Sequence, residues 1–310
     1  MTTERALLTG VTGFVGAHLA RALVADHVEV HAIVRTDARL DRIPDLVEAI
    51  TLHVDDGSTN ALTEAVARAR PDAAFHLATN FIAEHRADDV TALVRDNVGF
   101  PTRLADAVSA HSNDEGGPAT FVNVGTAWQH VDGASYQPKN LYAATKQAFE
   151  DVLRFYSDRA LLRVVTVNIY DSYGPLDHRG KLLTHLLAAL RTGEPLLMSS
   201  GQQLIDLVHV NDITAALRRA ADLAADTPYD AGERAPAIYA LSSGEPRTLR
   251  QLVELLGEVA GAPVPVEWGA RPDRAGDMIE HWRAGDAVPG WSPSIDLPSG
   301  LRSLLALNDH

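Results

Sequence analysis

Short apolar segments alternate with longer segments of helical periodicity through the first two thirds of the chain. Uninterrupted apolar segments rich in β-branched residues are typical of strands that are buried on both faces of a parallel sheet. We predict such strands at residues 6–8, 28–34, 50–54, 73–77, 120–124 and 163–169. The segments that follow helical spacing, and are long enough for right-handed crossovers between parallel strands, lie at residues 13–25, 61–69, 90–110 and 141–157. The pattern therefore predicts an α/β fold with a doubly wound parallel sheet.

This alternation ends after Tyr173-Gly174-Pro175, where shorter helical segments are separated by loops that contain glycine and proline. We therefore predict a sheet domain at residues 1–172 and a smaller C-terminal substrate-binding region at residues 173–310. Parts of residues 205–243 again have the helical and strand patterns of the first domain. We expect these parts to return to the main sheet.

Composition limits the partners and the location of the protein. Lys and Arg total 27 against 41 Asp and Glu, a net charge of -14, which disfavours nucleic acid as a partner. No apolar segment approaches the roughly 20 residues of a membrane span, and no signal peptide is visible, so we expect a cytoplasmic protein without membrane contact. The chain has no Cys, and its 13 His residues lack the spacing of metal ligands, so we predict no metal site.

A glycine-rich segment follows the first predicted strand and opens the first predicted helix. Gly10 permits a tight turn, Gly13 lets the backbone approach a pyrophosphate, and Gly16 lets the helix pack against the strand. Glycines of a flexible loop would be the alternative, but the order of strand, turn and helix favours a Rossmann dinucleotide site. Amides at the start of the helix would then hold the phosphates, and the further residues placed in this site are Thr12, Phe14 and Val15.

The preferred cofactor depends on the end of the second strand, where an enzyme that uses NAD usually carries an acid for the adenosine ribose. Here the strand is followed by Arg35, whose guanidinium suits a 2′-phosphate, and Arg39 lies close enough in sequence to assist. NADP(H) is therefore favoured over NAD(H), and an ordinary solvated arginine at position 35 is the alternative. Asp55, or else Asp56, is expected to accept a hydrogen bond from the adenine amino group.

Tyr142 and Lys146 lie four residues apart in a segment of helical spacing, so their side chains share one face. An ammonium near a phenol lowers the phenol pKa from about 10, which makes the tyrosine a proton donor and acceptor near neutral pH. Lys146 can also hold the nicotinamide ribose. This spacing is common in exposed helices, but its position after a glycine-rich turn and five predicted strands favours an acid–base pair.

At these positions the chain resembles the extended short-chain dehydrogenase/reductase superfamily, over nearly its whole length. Besides the glycine turn, the resemblance is carried by residues 75–78, 97–98, 121–126 and 140–146. It implies that Thr126 hydrogen-bonds the reacting oxygen beside Tyr142, and that the cofactor site includes Leu77, Ala78 and Asn97. It also implies a homodimer formed through the helices predicted at residues 90–110 and 141–157.

Two C-terminal segments resemble the nucleotide-sugar members of this superfamily. Residues 274–277 resemble the Arg-Pro-Gly-Asp element that binds the substrate diphosphate, and residues 169–182 resemble the Asp-Thr-Tyr-Gly-Pro stretch of nucleotide-sugar 4-ketoreductases. Epimerases usually have asparagine at the position of Asp171, where a carboxylate would repel a diphosphate and suit sugar hydroxyls better. The resemblance implies a nucleotide-diphosphate sugar as substrate, bound by Asp171, Arg179, Lys181 and Arg274.

Four functions compete within this resemblance. Dehydratases follow the catalytic threonine with an Asp-Glu pair, but this chain has Ala127-Trp128, and neither side chain transfers a proton. An epimerase would use the same tyrosine and lysine with tightly bound NAD, against which Arg35 and Asp171 both argue. A non-enzymatic dinucleotide sensor would have lost the catalytic residues that this chain retains. We therefore expect reduction by NADPH of the C4 ketone of a 4-keto-6-deoxyhexose carried by thymidine or cytidine diphosphate.

Overall fold

The computed structural model describes residues 3–112, 118–133, 135–227, 235–274 and 276–308. Its strands are β1 Arg5–Thr9, β2 Glu29–Arg35, β3 Thr51–Asp55, β4 Ala73–His76, β5 Thr120–Thr126, β6 Arg163–Ile169, β7 Asp171–Tyr173, β8 Leu196–Leu197, β9 Leu204–Ile205, β10 Leu207–His209, β11 Ala237–Leu241, β12 Arg247–Thr248 and β13 Val266–Glu267. Its α-helices are α1 Phe14–Ala25, α2 Thr59–Ala69, α3 Val90–Val94, α4 Phe100–Ser112, α5 Leu141–Asp158, α6 Leu182–Thr192, α7 Val210–Asp226, α8 Leu249–Ala260 and α9 Leu297–Asn308.

Seven strands form the central sheet, in the order β11-β6-β5-β4-β1-β2-β3. Every neighbouring pair in this sheet is parallel. The chain starts at β1, winds outward to β3, crosses back to β4 and then winds in the other direction. Ligands of such folds bind outside the carboxyl ends of the strands, at the point where the winding reverses. The predicted doubly wound α/β fold is confirmed.

The strands are apolar because both faces of the sheet are covered. In β1, Ala6 and Leu8 point into the core beneath α1 and α7, whereas Leu7 points into the core beneath α2, α4 and α5. In β2, Val34 and Ile33 divide between the same two cores. Because side chains alternate between faces along a strand, the strands inside the sheet need hydrophobic residues at most positions, whereas the edge strand β3 has no buried residue.

One predicted helix differs from the observed structure. The segment 90–110 is divided into α3, a π-helical turn at Arg95–Gly99 and α4. A π turn is wider than an α turn and is common at functional sites. Here it contains Asn97, which is 1% exposed and makes hydrogen bonds to the loop after β4 and to α5. Helical periodicity in the sequence cannot reveal this turn, because the helix continues through it.

The residues after β7 build a core of their own. Helices α6, α8 and α9 pack around a third apolar cluster that includes Leu186, Leu252 and Leu301. Two elements of the C-terminal half nevertheless belong to the sheet, since α7 packs against α1 and β6, and β11 pairs with β6. The division into two domains at residue 172 stays a prediction.

Two kinds of feature are not found in the described part of the chain. No helix there has the length and the apolar character needed to cross a membrane. No three or more His, Cys, Asp or Glu side chains come together there as a possible metal site.

Candidate active site

The glycine turn joins β1 to α1 in a conformation that leaves no room for a side chain at Gly10 or at Gly16. Gly10 has a positive φ of 79°, and a Cβ there would lie 2.7 Å from the backbone nitrogen of Ala78. A Cβ on Gly16 would lie 2.1 Å from the carbonyl oxygen of Gly10. Gly13 precedes α1, and no side chain caps that helix terminus. An uncapped terminus leaves backbone N–H groups for an anion, so these residues fit the pyrophosphate of a dinucleotide.

The ends of β1 and β4 are held together by a buried histidine. The hydroxyl of Thr9 lies 2.8 Å from Nδ1 of His76 and accepts a hydrogen bond from the backbone N–H of Ala78 at 3.2 Å. His76 is fully buried, and burial lowers its pKa well below the usual value, so the ring is neutral. These contacts place the predicted cofactor residues Leu77 and Ala78 directly against Gly10.

The adenosine edge of the predicted cofactor site is exposed and charged. Arg35 and Asp55 are register partners at the ends of β2 and β3. The Arg35 side chain is 74% exposed, and its Nε lies 3.2 Å from a carboxylate oxygen of Asp37. Arg39 is paired in the same way with Asp41, at 2.7 Å. Each arginine thus has an aspartate two residues along the chain as its neighbour, which the sequence analysis did not consider.

Helix α5 begins at a side-chain cap and buries both predicted catalytic residues. Asn140 accepts a hydrogen bond from the N–H of Ala143 at 2.9 Å, which fixes the start of the helix. Tyr142 is 8% exposed, and Lys146 is 3% exposed. The side chains lie one helical turn apart, as the sequence predicts. Their environment is therefore much drier than that of the arginines at the adenosine edge.

Burial changes the proton affinity of both groups. It raises the pKa of Tyr142 to about 12, although a hydrogen bond with Thr79 acts in the opposite direction. It lowers the pKa of Lys146 to about 8, against the carboxylate of Glu150. The expectation that Lys146 lowers the pKa of Tyr142 is therefore not met, because loss of hydration of the phenolate dominates. Tyr142 holds its proton at neutral pH.

Thr126 lies at the end of β5, where the chain turns into a short 3-10 segment. Its hydroxyl oxygen accepts a hydrogen bond from the N–H of Trp128 at 3.3 Å, and its own N–H donates to Oε1 of Gln129 at 3.0 Å. A hydroxyl that accepts one hydrogen bond can still donate its own proton. The side chain is 8% exposed. Its geometry thus permits the role predicted for it.

Asn97 holds the loop after β4 against α5. Its Oδ1 accepts hydrogen bonds from the backbone N–H of Asn80 at 2.7 Å and from the hydroxyl of Thr79 at 3.1 Å. Its Nδ2 donates to the carbonyl of Asn80 at 2.9 Å and to Oγ1 of Thr145 at 3.0 Å. The structure shows a positioning role for this side chain, and its direct contact with the cofactor stays a prediction.

All three lysines of the chain lie at this site. Lys139 precedes α5, forms an ion pair with Asp277 at 3.1 Å and lies 4.7 Å from the ring centre of Trp128. Lys181 lies 4.4 Å from the ring centre of Phe81, which in turn packs edge to face against Tyr142 at 5.0 Å. Lysine therefore occurs in this protein only around the predicted reaction centre.

A cavity of about 610 Å³ extends from the start of α5 into the C-terminal region. Its described walls include the predicted substrate residues Asp171 and Arg274. They also include basic groups that the sequence analysis did not identify: Lys139, His185 and Arg271. The walls also carry the acids Glu84 and Asp277, and Lys139 pairs with Asp277. Arg271 and Arg274 are therefore the groups in this lining best suited to an anionic ligand. Of the segment 274–277, Ala275 lies outside the described residues.

Of the four predicted substrate residues, Arg179 contacts the cofactor turn and Lys181 contacts Phe81, whereas Asp171 lines the cavity. Burial raises the pKa of Asp171, with Lys181 acting in the opposite direction. Arg179 binds both carboxylate oxygens of Asp177, each at 2.7 Å, and stacks 4.3 Å from the ring centre of Phe14 in the glycine turn. Neither Arg179 nor Lys181 is among the described residues that line the cavity. Their contact with substrate stays a prediction.

Two residues missed by the sequence analysis had a detectable signal. With only three lysines in the chain and two already selected, Lys139 was identifiable by its rarity and by its position directly before the active-site helix. Arg271 lies three residues before Arg274 in a Gly- and Pro-containing segment. His185 lies within α6 and has no comparable local pattern.

Comparison with known proteins identifies the family. The model of the NAD dependent epimerase/dehydratase family matches residues 6–232. The chain belongs to this family. The predicted superfamily is thereby confirmed at the level of this family, whose name implies a nicotinamide dinucleotide as cofactor. The protein is therefore an enzyme of the epimerase/dehydratase family.

The similar proteins include more than one activity. UDP-glucose 4-epimerase of Mycolicibacterium smegmatis is 26% identical, with 96% of each chain covered. CDP-abequose synthase of Salmonella typhimurium is 23% identical, with 97% of each chain covered. Among solved structures, UDP-N-acetylglucosamine 4-epimerase from Methanobrevibacter ruminantium, in complex with UDP-N-acetylmuramic acid, has a TM-score of 0.81 at 18% identity and covers 100% of both chains. At this identity the structural likeness shows the fold.

Proposed function

We propose that this member of the epimerase/dehydratase family reduces the C4 ketone of a nucleotide-linked 4-keto-6-deoxyhexose with NADPH. One observation carries the proposal: Tyr142 keeps its proton at the start of the helix where the cavity begins, and the residues after Thr126 carry no acid–base pair. Ketone reduction needs a proton donor and no second acid–base pair.

The positions that follow Thr126 argue against dehydration. Ala127 and Trp128 both line the cavity, so the place where a dehydratase carries its acidic pair is occupied by apolar side chains. Removal of water from a sugar requires one group to take a proton and another to protonate the leaving hydroxyl. Neither of these two side chains can do so.

The catalytic residues divide the work on the reacting oxygen. Bound NADPH supplies the hydride that reduces the carbonyl carbon. Tyr142 donates its phenolic proton to the carbonyl oxygen as negative charge develops there, and the Thr126 hydroxyl donates a hydrogen bond to the same atom. The ammonium of Lys146 stabilises the phenolate that Tyr142 becomes. Because its pKa is about 12, Tyr142 is protonated at neutral pH, so the proton to be donated is in place before the ketone is reduced.

The preference for NADP(H) rests on the adenosine edge. Arg35 is positioned at the carboxyl end of β2 with most of its guanidinium in water, where a 2′-phosphate can replace its contact with Asp37. Asp55 lies beside it at the end of β3 and is proposed to face the adenine. The glycine turn and the uncapped start of α1 hold the pyrophosphate in this proposal.

The proposed substrate lies across the cavity. Arg274 and Arg271 bind the diphosphate, whereas Asp171 and Lys181 contact sugar hydroxyls. Phe81 is 42% exposed beside Tyr142, and this apolar surface suits the methyl group at C6 of a deoxysugar. Arg179, which contacts the glycine turn, would border both ligands. The CDP-abequose synthase relative supports a cytidine diphosphate carrier, because its name states a CDP-linked sugar.

We also propose that the enzyme forms a homodimer through α3, α4 and α5. Val90 and Val94 lie one turn apart on α3 with exposed side chains, and Phe155 on α5 is 54% exposed. Apolar side chains of this size on neighbouring helices are typical of a surface that a second copy covers. Sedimentation of the wild type and of Phe155→Glu tests this arrangement, with a monomeric wild type as the contrary result.

The deciding assay incubates the purified protein with NADPH and either dTDP- or CDP-4-keto-6-deoxyglucose. We expect loss of absorbance at the reduced-nicotinamide band together with formation of a deoxysugar nucleotide, and no such loss with Tyr142→Phe. The UDP-glucose 4-epimerase relative defines the alternative. If the protein instead retains NAD through purification and interconverts UDP-glucose and its C4 epimer without consuming NADPH, the epimerase function replaces this one.

A further inference from the structure

The catalytic lysine is buried in surroundings that disfavour its charge. Lys146 is 3% exposed, its charge acts on His76 of β4, and Tyr142 lies one turn before it on α5. A buried ammonium loses its proton unless an opposite charge compensates for the lost hydration. The proposed chemistry needs this ammonium, since it stabilises the phenolate of Tyr142. Something in the structure must therefore keep Lys146 protonated.

Glu150 supplies a compensating charge from one turn further along α5. Residues four apart on a helix share a face, and the Glu150 carboxylate acts on Lys146 in the direction that favours the ammonium. The proposed mechanism does not otherwise use this acid. Burial raises the pKa of Glu150, and its hydrogen bonds with Gln129 and Gln147 act in the opposite direction. Of the nearby charged groups, His130 lowers this pKa and Asp151 raises it.

A buried amide connects this carboxylate to Thr126. Gln129 is fully buried, and its Oε1 accepts the backbone N–H of Thr126 at 3.0 Å. Its Nε2 donates to Oε1 of Gln147 at 3.0 Å and to Oε2 of Glu150 at 3.4 Å. Gln147 also donates to the second oxygen of Glu150, at 3.4 Å. Hydrogen bonds donated to both oxygens hold the carboxylate in place and oppose the rise in its pKa that burial causes.

We propose that Glu150 is a positioning residue that keeps Lys146 protonated during catalysis, and that Gln129 aligns this pair with Thr126. The inference rests on the catalytic assignment of Lys146 within the proposed function, but not on the identity of the sugar. It extends the site from the residues that touch ligands to a buried polar chain behind them.

The charge lost in Glu150→Gln decides in which direction the pKa of Lys146 changes. In Glu150→Gln the amide keeps hydrogen-bonding capacity toward Gln129 and loses the negative charge, so the pKa of Lys146 falls further below its usual value. Lys146 then loses its proton at a pH about one unit lower than in the wild type, the size typical of one nearby opposite charge. The alkaline limit of turnover moves down by the same amount, while turnover near pH 6 stays close to that of the wild type. A merely structural defect would lower turnover at every pH.

The direct test observes the lysine itself, without substrate or cofactor. Because the chain has three lysines, protein labelled with ¹³C at lysine Cε gives three signals, which Lys139→Arg and Lys181→Arg assign. We expect the Lys146 signal of the wild type to titrate with a midpoint of about 8. In Glu150→Gln the midpoint is expected to be lower, and in Glu150→Asp close to the wild type. Asp151→Asn, which removes the same charge from the next residue, is the matched control and should leave the midpoint nearly unchanged.

An unchanged Lys146 midpoint in folded Glu150→Gln overturns the proposal, as does an equal fall in Asp151→Asn. The wild type provides a second measurement if Glu150→Gln does not fold. Protonation of Glu150 at acid pH should move the Lys146 signal in a second, smaller step, and absence of that step contradicts the proposal. Because these spectra need no substrate, they remain decisive even if the keto-sugar assay fails and the proposed function is abandoned.

Discussion

The proposed ligand cleft runs from the adenosine edge, at Arg35 and Arg39, to the reaction centre, at Tyr142 and Lys146. The positive charges are exposed to water at the first end and buried at the second. At the adenosine edge, Arg35 and Arg39 extend into water and pair with neighbouring aspartates. At the reaction centre, Lys146 is buried, and Lys181 is dehydrated enough to lower its pKa. Exposed ion pairs contribute roughly 0 to 1 kcal/mol each, whereas buried charges shift proton equilibria by whole pH units. One end can select among ligands, and the other can carry chemistry.

The largest effect is expected from Tyr142→Phe, which removes the proton donor and keeps the ring. Turnover should fall by roughly 100- to 10,000-fold, the usual contribution of a general acid, with little change in cofactor affinity. Steady-state kinetics and cofactor titration measure the two quantities. Near-normal turnover in this variant would show that Tyr142 is not the proton donor. The reaction centre would then not differ from the adenosine edge in the chemistry assigned to it.

Gly16→Ala tests whether the cofactor end depends on its backbone. A Cβ there would meet the carbonyl of Gly10 at 2.1 Å, so we expect a loss of roughly 1 to 3 kcal/mol in stability together with weakened cofactor binding. Gly99→Ala is the matched control, since a Cβ at Gly99 meets no atom closer than 3.9 Å. Thermal denaturation with and without NADPH gives both values, and equal behaviour of the two variants would contradict the expectation.

Arg274→Ala sharpens the comparison on the substrate side. A contact with the diphosphate, remote from the reacting carbon, contributes mainly to ground-state binding, so KM should rise about tenfold while kcat changes little. Arg191→Ala, at an exposed position near the end of α6, serves as control. An unchanged KM would remove Arg274 from the substrate site.

The smallest effect is expected at the adenosine edge. Arg35→Ala should reduce the ratio of kcat/KM for NADPH over NADH severalfold, because an exposed guanidinium contributes only about 1 kcal/mol. Asp37→Asn should increase this ratio, since it frees Arg35 from its partner. Equal efficiency of the wild type with both cofactors would refute the assignment of Arg35, and Arg68→Ala provides a control for loss of an exposed arginine.

The features that the sequence predicted correctly are those made from residues close together in the chain. The glycine turn is made from consecutive residues, so its strand, turn and helix are readable in one window, and the fold follows from the same periodicity. The pair Tyr142 and Lys146 is equally local, because one helical turn separates them. In these places local geometry alone decides which atoms meet.

The cavity could not be predicted as completely, because its walls come from distant segments. Lys139 and Asp277 are 138 residues apart in the chain and meet only after the C-terminal region has packed against the sheet. The raised pKa of Tyr142 was missed for a related reason, since it depends on how much water the surrounding elements exclude. Hydrophobic pattern and motif spacing show which residues are neighbours along the chain. They do not show how much water the folded protein removes from a side chain.

The confinement of lysine to the reaction centre has a practical consequence. Amine-directed reagents, such as the activated esters used for dye labelling or attachment to a resin, find no lysine on the remaining surface of this protein. Reaction at Lys139, Lys146 or Lys181 would therefore report on access to the cleft, and bound ligand should slow it. Conjugation for imaging or immobilisation would need an introduced cysteine, for which a chain without native cysteine offers a clean background.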